Sequence, residues 1–187
     1  MVVGLGNPGA EYEGTRHNLG ADVIAMLASR HNAPLKRGKE RALAGEGRID
    51  GKLLALAFPQ TFVNLSGESV ARLVRRYGVE DELSRLVVVH DELDLPPGRV
   101  KVKEGGGTAG HNGLESIRSH LRSGAFTRVR IGIGKPPGRQ AGADFVLRPA
   151  RKAERLEFDV AVVEAADAVE LIFTDGLSTA MNRVNTA

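Results

Sequence analysis

Hydrophobic residues along this chain follow two alternating spacings, one typical of helices and one typical of strands. The helical spacing places apolar residues three and four positions apart and predicts three amphipathic helices. Their apolar stripes are Leu19, Val23, Met26 and Leu27; Val70, Leu73, Val74 and Tyr77, in a helix over residues 64–77; and Leu114, Ile117 and Leu121. Residues 150–174 are predicted to be mostly helical, and Gly176 separates them from a last short helix.

Short apolar or alternating runs between these helices predict β-strands. They cover residues 2–5, 42–58, 86–90 and 99–103, and a run with Val129, Ile131 and Ile133. Asp50-Gly51 divides the second run into a β-hairpin, because this dipeptide adopts the backbone angles of a two-residue turn. Residues 86–90 are almost continuously apolar, as expected for a strand covered on both faces. The predicted fold class is therefore α/β. Residues 1–187 form a single domain in which helices cover both faces of a twisted mixed β-sheet.

Composition narrows the possible chemistry. A chain of 187 residues with 42% hydrophobic residues can fill one sizeable core. It contains no cysteine, which excludes disulfides, thiolate zinc sites and a thiol nucleophile. It also lacks an apolar stretch of about 18 residues and a signal peptide, so we expect a cytoplasmic protein without a membrane partner. The net charge of +3 permits an anionic partner such as nucleic acid but does not require one.

The first predicted strand leads into Gly4-Leu5-Gly6-Asn7-Pro8-Gly9, which fits the G-x-G-x-x-G pattern of dinucleotide-binding folds. In that motif the helix begins inside the glycine run, so that its N-terminus faces the pyrophosphate. Here the segment after Pro8 has no apolar helical stripe, and the first clear helix begins only near Asn18. We therefore favour a tight Gly/Pro loop over a nucleotide-dependent oxidoreductase, which stays as an alternative.

Several polar side chains lie where predicted strands end or helices begin: Asn7, His17, Asn18, Asn64, Asp91, His111 and Asn112. Ligands in α/β sheets bind beyond the carboxyl ends of the strands, so we expect many of these side chains to converge at one rim. Structural explanations compete with this one. Asn18, Asn64 and Asn112 are good helix N-caps, with Glu115 placed to form a capping box with Asn112. Asn7 and Asp91 fit turns equally well.

His17 lies outside every apolar stripe and is the first candidate for catalysis. Histidine is the side chain best matched to general-base catalysis near neutral pH, and Asp91 at a strand end can fix its tautomer. Without a cysteine or a G-x-S-x-G elbow, direct activation of water is the simplest chemistry. We interpret His31, His90 and His120 as surface or packing residues. The five histidines show no metal-binding spacing, so we predict no metal.

Residues 105–110, with the sequence GGGTAG, are small almost throughout and come directly before His111. So many small residues exceed the needs of a turn. This favours a lid, or a close approach of the backbone to a ligand, over a simple connection.

Basic residues recur along the chain and have two interpretations. They form either a solvated face or contacts to phosphate, and the sequence leaves both open. They are Arg72, Arg75, Arg76, Lys101, Lys103, Arg128, Arg130, Lys135, Arg139, Arg148, Arg151 and Lys152.

At these residues the chain closely resembles the bacterial-type peptidyl-tRNA hydrolases. The matching stretches, in the family's order and reaching nearly end to end, are VGLGNPGAEYEGTRHNLG, PQTFVNLSG, VVVHDELDLPPGRVKVKEGGGTAGHNGLESI, RVRIGIGKP and FTDGLSTAMNR. The resemblance implies a single-domain α/β enzyme, usually monomeric, without a metal or organic cofactor. The implied reaction hydrolyses the ester between a peptide and the 3′-terminal ribose of tRNA. It recycles tRNA from peptides dropped by ribosomes.

The resemblance also implies roles for individual residues. His17 matches the general base and Asp91 its orienting carboxylate, while Asn7 binds substrate and completes the catalytic set. The implied partner is peptidyl-tRNA, bound at its CCA end and acceptor stem. The implied substrate- and tRNA-binding residues are Tyr12 and Phe62 around the terminal nucleotide or peptide, Asn64, His111 and Asn112 on the substrate, and Lys103 and Arg130 on phosphate.

Two departures from the family pattern affect the expected site. Val63 stands where many members have Met, which reshapes an apolar wall, and Ala109 stands where Gly is usual, which stiffens the glycine loop. Neither changes the proposed base. A non-catalytic RNA-binding member of the same fold is the runner-up function, and the presence of His17, Asp91 and Asn7 together argues against it.

Overall fold

A computed structural model describes residues 1–138 and 141–186 of the chain, so Arg139, one of the basic residues named above, lies outside the described residues. The strands are β1 (Val2–Gly4), β2 (Lys36–Arg37), β3 (Ala42–Ile49), β4 (Lys52–Pro59), β5 (Val87–Glu92), β6 (Val100–Glu104) and β7 (Thr127–Gly132). The helices are α1 (Leu19–Arg30), α2 (Ser66–Tyr77), α3 (Asn112–Leu121), α4 (Gly142–Val146), α5 (Lys152–Asp175) and α6 (Leu177–Thr186). None of the helices in these ranges has both the length and the apolarity to cross a membrane.

The strands of the described residues form one mixed sheet in the order β2-β3-β4-β1-β5-β7-β6. β4, β1, β5 and β7 are parallel at its centre, and β3 and β6 run antiparallel beside them. The register places Val2 between Leu56 and Val87. The carboxyl ends of the four parallel strands therefore share one edge, which we call the upper rim.

Alternation along the strands sends neighbouring side chains into two separate cores. Val2, Val87 and Val89 belong to a core with α1 and α5. Val3 and Val88 belong to a second core with α2 and α3 on the opposite face. The predicted mixed sheet with helices on both faces is confirmed. The apolar run in β5 reflects this burial on both sides.

Gly4 at the end of β1 and Gly20 in the first turn of α1 allow this helix to pack closely on the strands. A Cβ atom on Gly20 would lie 2.4 Å from the carbonyl oxygen of Val89, and one on Gly4 would lie 2.0 Å from the carbonyl oxygen of Gly20. Neither position tolerates a side chain. The G-x-G-x-x-G pattern thus serves the approach of a helix that begins at Leu19, after the glycine run has ended. This packing brings the 3₁₀ turn Arg16–Asn18, directly before α1, to the upper rim.

Element boundaries agree with the sequence prediction where the local signal is strong. The hairpin at Asp50-Gly51 is confirmed, with φ angles of 47° and 75° in its two turn residues. The second helix was predicted from Asn64 but begins at Ser66, because Val63–Leu65 first form a 3₁₀ turn. The sequence pattern did not predict β2 or α4, which have two and five residues.

Candidate active site

Asp91 accepts hydrogen bonds from two histidines at the upper rim. It lies within β5 and only 2% of its surface is exposed, so the alternative of a turn residue is wrong. Its Oδ1 atom is 2.8 Å from Nδ1 of His17 and 3.0 Å from Nε2 of His111. Burial alone would raise the pKa of Asp91, but the two histidines outweigh it and hold this pKa well below its usual range. The carboxylate therefore stays ionised.

The contact with Asp91 sets the tautomer of His17. Because the ionised carboxylate can only accept, Nδ1 of His17 carries the proton and Nε2 keeps its lone pair. A general base needs this form. Burial lowers the pKa of His17, but the charge of Asp91 and its hydrogen bond exceed that effect, so the pKa of His17 is raised above its usual value. The raised pKa makes Nε2 a stronger base.

The turn that carries His17 is tied down on both sides. Before it, Arg16 pairs with Glu154 of α5 at 2.8 Å. After it, the side chain of Asn18 accepts from the backbone N–H of Asn7 and donates to the backbone carbonyl of Asn7, both at 2.9 Å. Asn18 stands at the N-cap position of α1, but its side chain makes no capping bond and joins the two loops instead. These bonds fix the position of the base.

The side-chain amide of Asn7 is held so that its NH₂ group can serve a ligand. Asn7 is buried, and its Oδ1 accepts a hydrogen bond of 2.8 Å from the backbone N–H of Val63. That bond identifies the oxygen end of the amide. Nδ2 has no hydrogen-bond partner in the described part of the chain, although it is not sealed from solvent. A fixed donor of this kind can bind a carbonyl or a developing oxyanion.

His111 connects the site to α3. Its Nδ1 accepts from the backbone N–H groups of Gly113 and Leu114, at 3.1 and 3.4 Å, while Nε2 donates to Asp91. This pattern requires the neutral tautomer with its proton on Nε2. The N-cap of α3 is therefore His111, and the N-cap predicted at Asn112 is wrong. The ring of His111 still borders the cavity, and its role as a substrate contact stays a prediction.

His90 packs beside these groups and is 1% exposed. Its Nδ1 donates to the backbone carbonyl of Asp91 at 2.7 Å, and its ring meets His111 edge-on, with centroids 5.0 Å apart. Its Nε2 atom has no hydrogen-bond partner among the described residues. Burial, with His111 close by, lowers the pKa of His90 to about 3. His90 is thus a neutral packing residue of the site.

His17, Asp91 and His111 also offer ligand atoms within 4.8 Å of one another, a spacing that a metal ion could use. Their hydrogen bonds argue against a metal. To ligate through Nε2, His111 would have to carry its proton on Nδ1, which faces the N–H groups of Gly113 and Leu114. Donors would then face donors, and α3 would lose its cap. We keep the prediction of a metal-free site.

A cavity of about 280 Å³ opens beside His17 and Asp91. Residues 109–112 form one wall, and α4 contributes Gly142, Ala143 and Val146 to the cavity as well. Asn112 is exposed at this cavity and makes no side-chain hydrogen bond within residues 1–138 and 141–186. A water molecule and an ester group can therefore reach the base from this side.

Tyr12 and Phe62 form an edge-to-face pair, with ring centroids 6.4 Å apart and an angle of 81° between the planes. Phe62 is 56% exposed, and an exposed aromatic face can stack on a nucleobase. Val63 is buried and reaches Asn7 through its backbone. Asn64 is exposed in the following turn and caps no helix, so the cap interpretation is wrong for Asn64 too.

Four basic side chains share one face of the β6–β7 pair, where the register joins Lys101 to Arg130 and Lys103 to Arg128. Lys103 is exposed, whereas Arg130 is half-buried with a guanidinium nitrogen 3.7 Å from Glu92. The face presents positive charge to solvent, which fits a contact with phosphate.

Arg128 of β7 holds the glycine loop, residues 105–110, in place. This buried guanidinium donates to the carbonyl oxygens of Gly106 and Gly107. Ala109 has a φ of 49°, in the left-handed region that costs a residue with a Cβ atom about 1 kcal/mol. Alanine therefore stands at a position whose backbone suits glycine, and the stiffer loop stays a prediction.

The whole chain, residues 1–187, matches the sequence model of the family described as peptidyl-tRNA hydrolase. The chain belongs to this family. It is 50% identical to the peptidyl-tRNA hydrolase of Nocardia farcinica, over 99% of this chain and 95% of the relative. It is 51% identical to that of Frankia casuarinae, over 98% and 92%. A crystal structure of peptidyl-tRNA hydrolase from Acinetobacter baumannii matches with a TM-score of 0.92 at 38% identity, covering 98% and 93% of the two chains.

Membership in the peptidyl-tRNA hydrolase family removes the oxidoreductase alternative. Sequence reasoning also missed three contacts of this site. They are the bond of His111 to Asp91, the backbone donor of Val63 to Asn7, and the two bonds of Asn18 to Asn7. The only available signal was the position of these residues at predicted junctions. Which atoms meet depends on how distant segments pack.

Proposed function

We propose that this chain hydrolyses peptidyl-tRNA, by cleaving the ester between the peptide and the 3′-terminal ribose. The observation that carries the proposal is the contact of 2.8 Å between Asp91 and Nδ1 of His17, which leaves Nε2 as a base beside the cavity. Water is a poor nucleophile and needs such a base. Membership in the family supports the choice of substrate.

The proposed reaction has two steps. Nε2 of His17 removes a proton from water while the water oxygen attacks the ester carbonyl, and ionised Asp91 stabilises the resulting imidazolium. The tetrahedral intermediate then collapses. The bond from the carbonyl carbon to the ribose oxygen breaks, and the imidazolium returns its proton to that oxygen. The products are the peptide acid, which ionises in water, and tRNA with a free hydroxyl group.

Asn7 and Asn112 supply neutral donors at the same rim. Negative charge develops on the carbonyl oxygen as water attacks, and a donor that is already oriented stabilises it without rearrangement. The side-chain amide of Asn7 is held by the bond of its Oδ1 atom with Val63 and by the two bonds of its backbone with Asn18, and this orients the Nδ2 donor. We assign Asn7 to the part of the substrate next to the ester, and Asn64 and Asn112 to substrate binding.

Binding of the tRNA uses surfaces on both sides of the cavity. The exposed ring of Phe62, with Tyr12 against it, suits the CCA end, while Lys103 and Arg130 suit phosphates of the acceptor stem. This binding energy is remote from the ester and can hold it in position. In this proposal the chain acts in translation as a single-domain, monomeric, metal-independent enzyme of the cytoplasm.

The deciding experiment is cleavage of an N-acetylated aminoacyl-tRNA by the purified chain. Release of the N-acetylated amino acid, together with deacylated tRNA, is the expected result. The same tRNA with a free amino group is the control substrate and should react far more slowly. Tight binding of tRNA without ester cleavage would instead support the non-catalytic RNA-binding function.

A further inference from the structure

A second concentration of positive charge lies at the other edge of the sheet, away from β6 and β7. Residues 36–41, which contain β2 and the turn into β3, include four basic residues and one carboxylate. An open cleft of about 890 Å³ lies between this turn and α2. We call it the β2–α2 cleft, and it is lined by Lys39, Glu40, Arg72, Arg75 and Arg76.

The carboxylate in this cleft is neutralised from within the protein. Glu40 is 3% exposed, and its Oε2 lies 3.1 Å from Arg76, which also lies 3.5 Å from Glu46. Glu40 and Arg76 thus satisfy each other. Lys39 and Arg72, by contrast, are exposed and pair with no carboxylate within the part of the chain that the structure describes. These two cations can therefore bind an anionic ligand.

The guanidinium of Arg72 lies against the turn that carries Lys39, because it donates to the backbone carbonyl of Lys39 at 3.4 Å. The turn that carries Lys39 is fixed, because Gln60 donates its backbone N–H to the carbonyl of Arg41 at 2.7 Å. Arg41 itself has a φ of 58°, an unfavourable value for a residue with a side chain. An anion bound in the cleft would neutralise positive charge that no carboxylate of the described residues offsets at Lys39 and Arg72.

The cleft opens at the same rim of the sheet as the active site. Ala42, at the start of β3, pairs with Pro59 at the carboxyl end of β4, so the turn before β3 lies at the upper rim. α2 begins at Ser66, directly after the segment with Phe62 and Asn64. Arg72 lies about 9 Å further along the helix axis. One extended ligand can therefore touch both the active-site rim and the cleft.

We infer that the β2–α2 cleft is a second phosphate-binding surface, which contacts the sugar-phosphate backbone of the tRNA. This inference rests on the proposed function, because the proposed substrate is the RNA that would bind in the cleft. Guanidinium and ammonium groups bind phosphate oxygens through charge-assisted hydrogen bonds. The strand order puts this cleft and the β6–β7 face on opposite sides of His17 and Asp91. The tRNA would thus be held from both sides of the ester.

The test uses the whole chain and two RNA probes. One is deacylated tRNA, which has no ester to cleave, and the other is an N-acetylaminoacyl ester of a short oligonucleotide ending in CCA. Lys39→Glu, Arg72→Glu and the double substitution reverse the charge of the cleft. Arg48→Glu is the matched control, because Arg48 is exposed near the other end of β3, at the opposite rim.

The double variant should raise the Kd for deacylated tRNA on the order of tenfold at low salt. The slope of log Kd against log salt concentration should fall by about one unit for each phosphate that the variant no longer binds. Cleavage of the short ester should keep its kcat/KM, because that probe does not reach the cleft. Arg48→Glu should bind tRNA like the wild type.

An unchanged Kd and salt slope in the double variant, or an equal loss in Arg48→Glu, would overturn the inference. If short-ester cleavage falls as well, the double variant Lys39→Gln with Arg72→Gln is the next test, because it removes the positive charges without adding negative ones. This variant must still reduce the salt slope, or the inference fails. If the variants lose affinity only for substrates with an acidic peptide, the cleft binds the peptide, and the inference is overturned too. If the wild type cleaves no N-blocked tRNA, the proposed function fails, while tRNA binding still decides the role of the cleft.

Discussion

The imidazole of His111 joins Asp91 to the first turn of α3, since Nε2 lies 3.0 Å from Asp91 Oδ1 while Nδ1 caps the helix. The carboxylate that orients the proposed base is therefore fixed by a second ring, and that ring is fixed by a helix terminus. Asp91 accepts from both histidines through the same oxygen. Both hydrogen bonds depend on the negative charge of Asp91. A substitution of Asp91 should therefore disturb both histidines at once.

Asp91→Asn should lower kcat/KM by about 10²–10⁴, the range expected for loss of general-base catalysis. An amide stabilises the imidazolium poorly, and its NH₂ group can donate to Nδ1 of His17 and so move the His17 proton to Nε2. Because Asp91 raises the pKa of His17 against the effect of burial, its neutralisation should lower that pKa.

The pH dependence of kcat/KM provides the measurement for Asp91. In the wild type, activity should fall as the pH drops through the raised pKa of His17, because imidazolium cannot accept a proton. In Asp91→Asn the midpoint of this acidic limb should move to lower pH. An identical profile with an unchanged rate would show that Asp91 has no part in orienting or charging the base.

His17→Ala should lower kcat by about 10²–10⁴ while the Kd for tRNA changes little. The substitution removes the base but none of the proposed phosphate contacts. His120→Ala is the matched control, because His120 is an exposed histidine on α3 whose one hydrogen bond among the described residues is with the backbone carbonyl of Ser116. Near-normal turnover in His17→Ala would rule out the mechanism.

Removal of metals should leave the activity intact. His111 cannot offer Nε2 to a metal without losing its cap on α3, so His17, Asp91 and His111 are better satisfied by one another. The measurement is kcat/KM after dialysis against a chelator, with the magnesium that the tRNA needs restored before the assay. A lasting loss of activity that only zinc or manganese reverses would contradict the metal-free site.

Local sequence signals were sufficient for much of the fold and part of the site. The hairpin at Asp50-Gly51 depends on two neighbouring residues, and the apolar run of β5 on burial from both faces. The pairing of His17 with Asp91 followed from residue type and from the positions of both at predicted junctions. By contrast, β2 and α4 are too short for any period to be recognised.

The capping predictions failed for a physical reason. A helix start attracts several polar side chains, and the tertiary fold decides which of them bonds the free N–H groups. At α3 that residue is His111, because Asp91 holds its other nitrogen. At α1 the side chain of Asn18 is taken by the backbone of Asn7. Such competition involves residues far apart in sequence, which capping preferences cannot describe.

His90 should make the fold sensitive to acid. Its pKa is lowered to about 3 in the folded chain, whereas an unfolded histidine titrates near 6.5. Between these values the unfolded state binds more protons at His90, so the contribution of His90 to the free energy of unfolding should decrease as the pH falls below about 6.5. The slope for one such group approaches about 1.4 kcal/mol per pH unit.

Urea unfolding between about pH 7 and pH 4 measures this slope in the wild type and in His90→Gln. Glutamine has no charge to acquire, so the variant should lose less stability on acidification, even if it is less stable at neutral pH. Parallel pH curves for the two proteins would mean that His90 is not the group that titrates.

The last prediction concerns how the enzyme spares ordinary aminoacyl-tRNA. Both substrates contain the same ester, so the chemistry at His17 cannot distinguish them. Peptidyl-tRNA has an acylated nitrogen one residue back, whereas aminoacyl-tRNA has a charged amine there. The Nδ2 donor of Asn7 can bind the carbonyl of the acyl group. It cannot form a hydrogen bond with an ammonium group, because that group is also a donor. A site built in this way should reject the amine.

Asn7→Asp replaces that donor with an acceptor, because one carboxylate oxygen can keep the bond to the N–H of Val63 while the other takes the place of Nδ2. The added charge near the developing oxyanion should slow both substrates, so the ratio of their rates is the informative quantity. The new oxygen accepts from an ammonium group, so the preference for N-blocked substrates should narrow. The measurement is the ratio of kcat/KM for N-acetylated aminoacyl-tRNA to that for its free-amine counterpart, in the wild type and the variant. Equal ratios would show that Asn7 does not read the blocked nitrogen. Asn112, exposed at the same cavity, would then be the next residue to test with the same substitution.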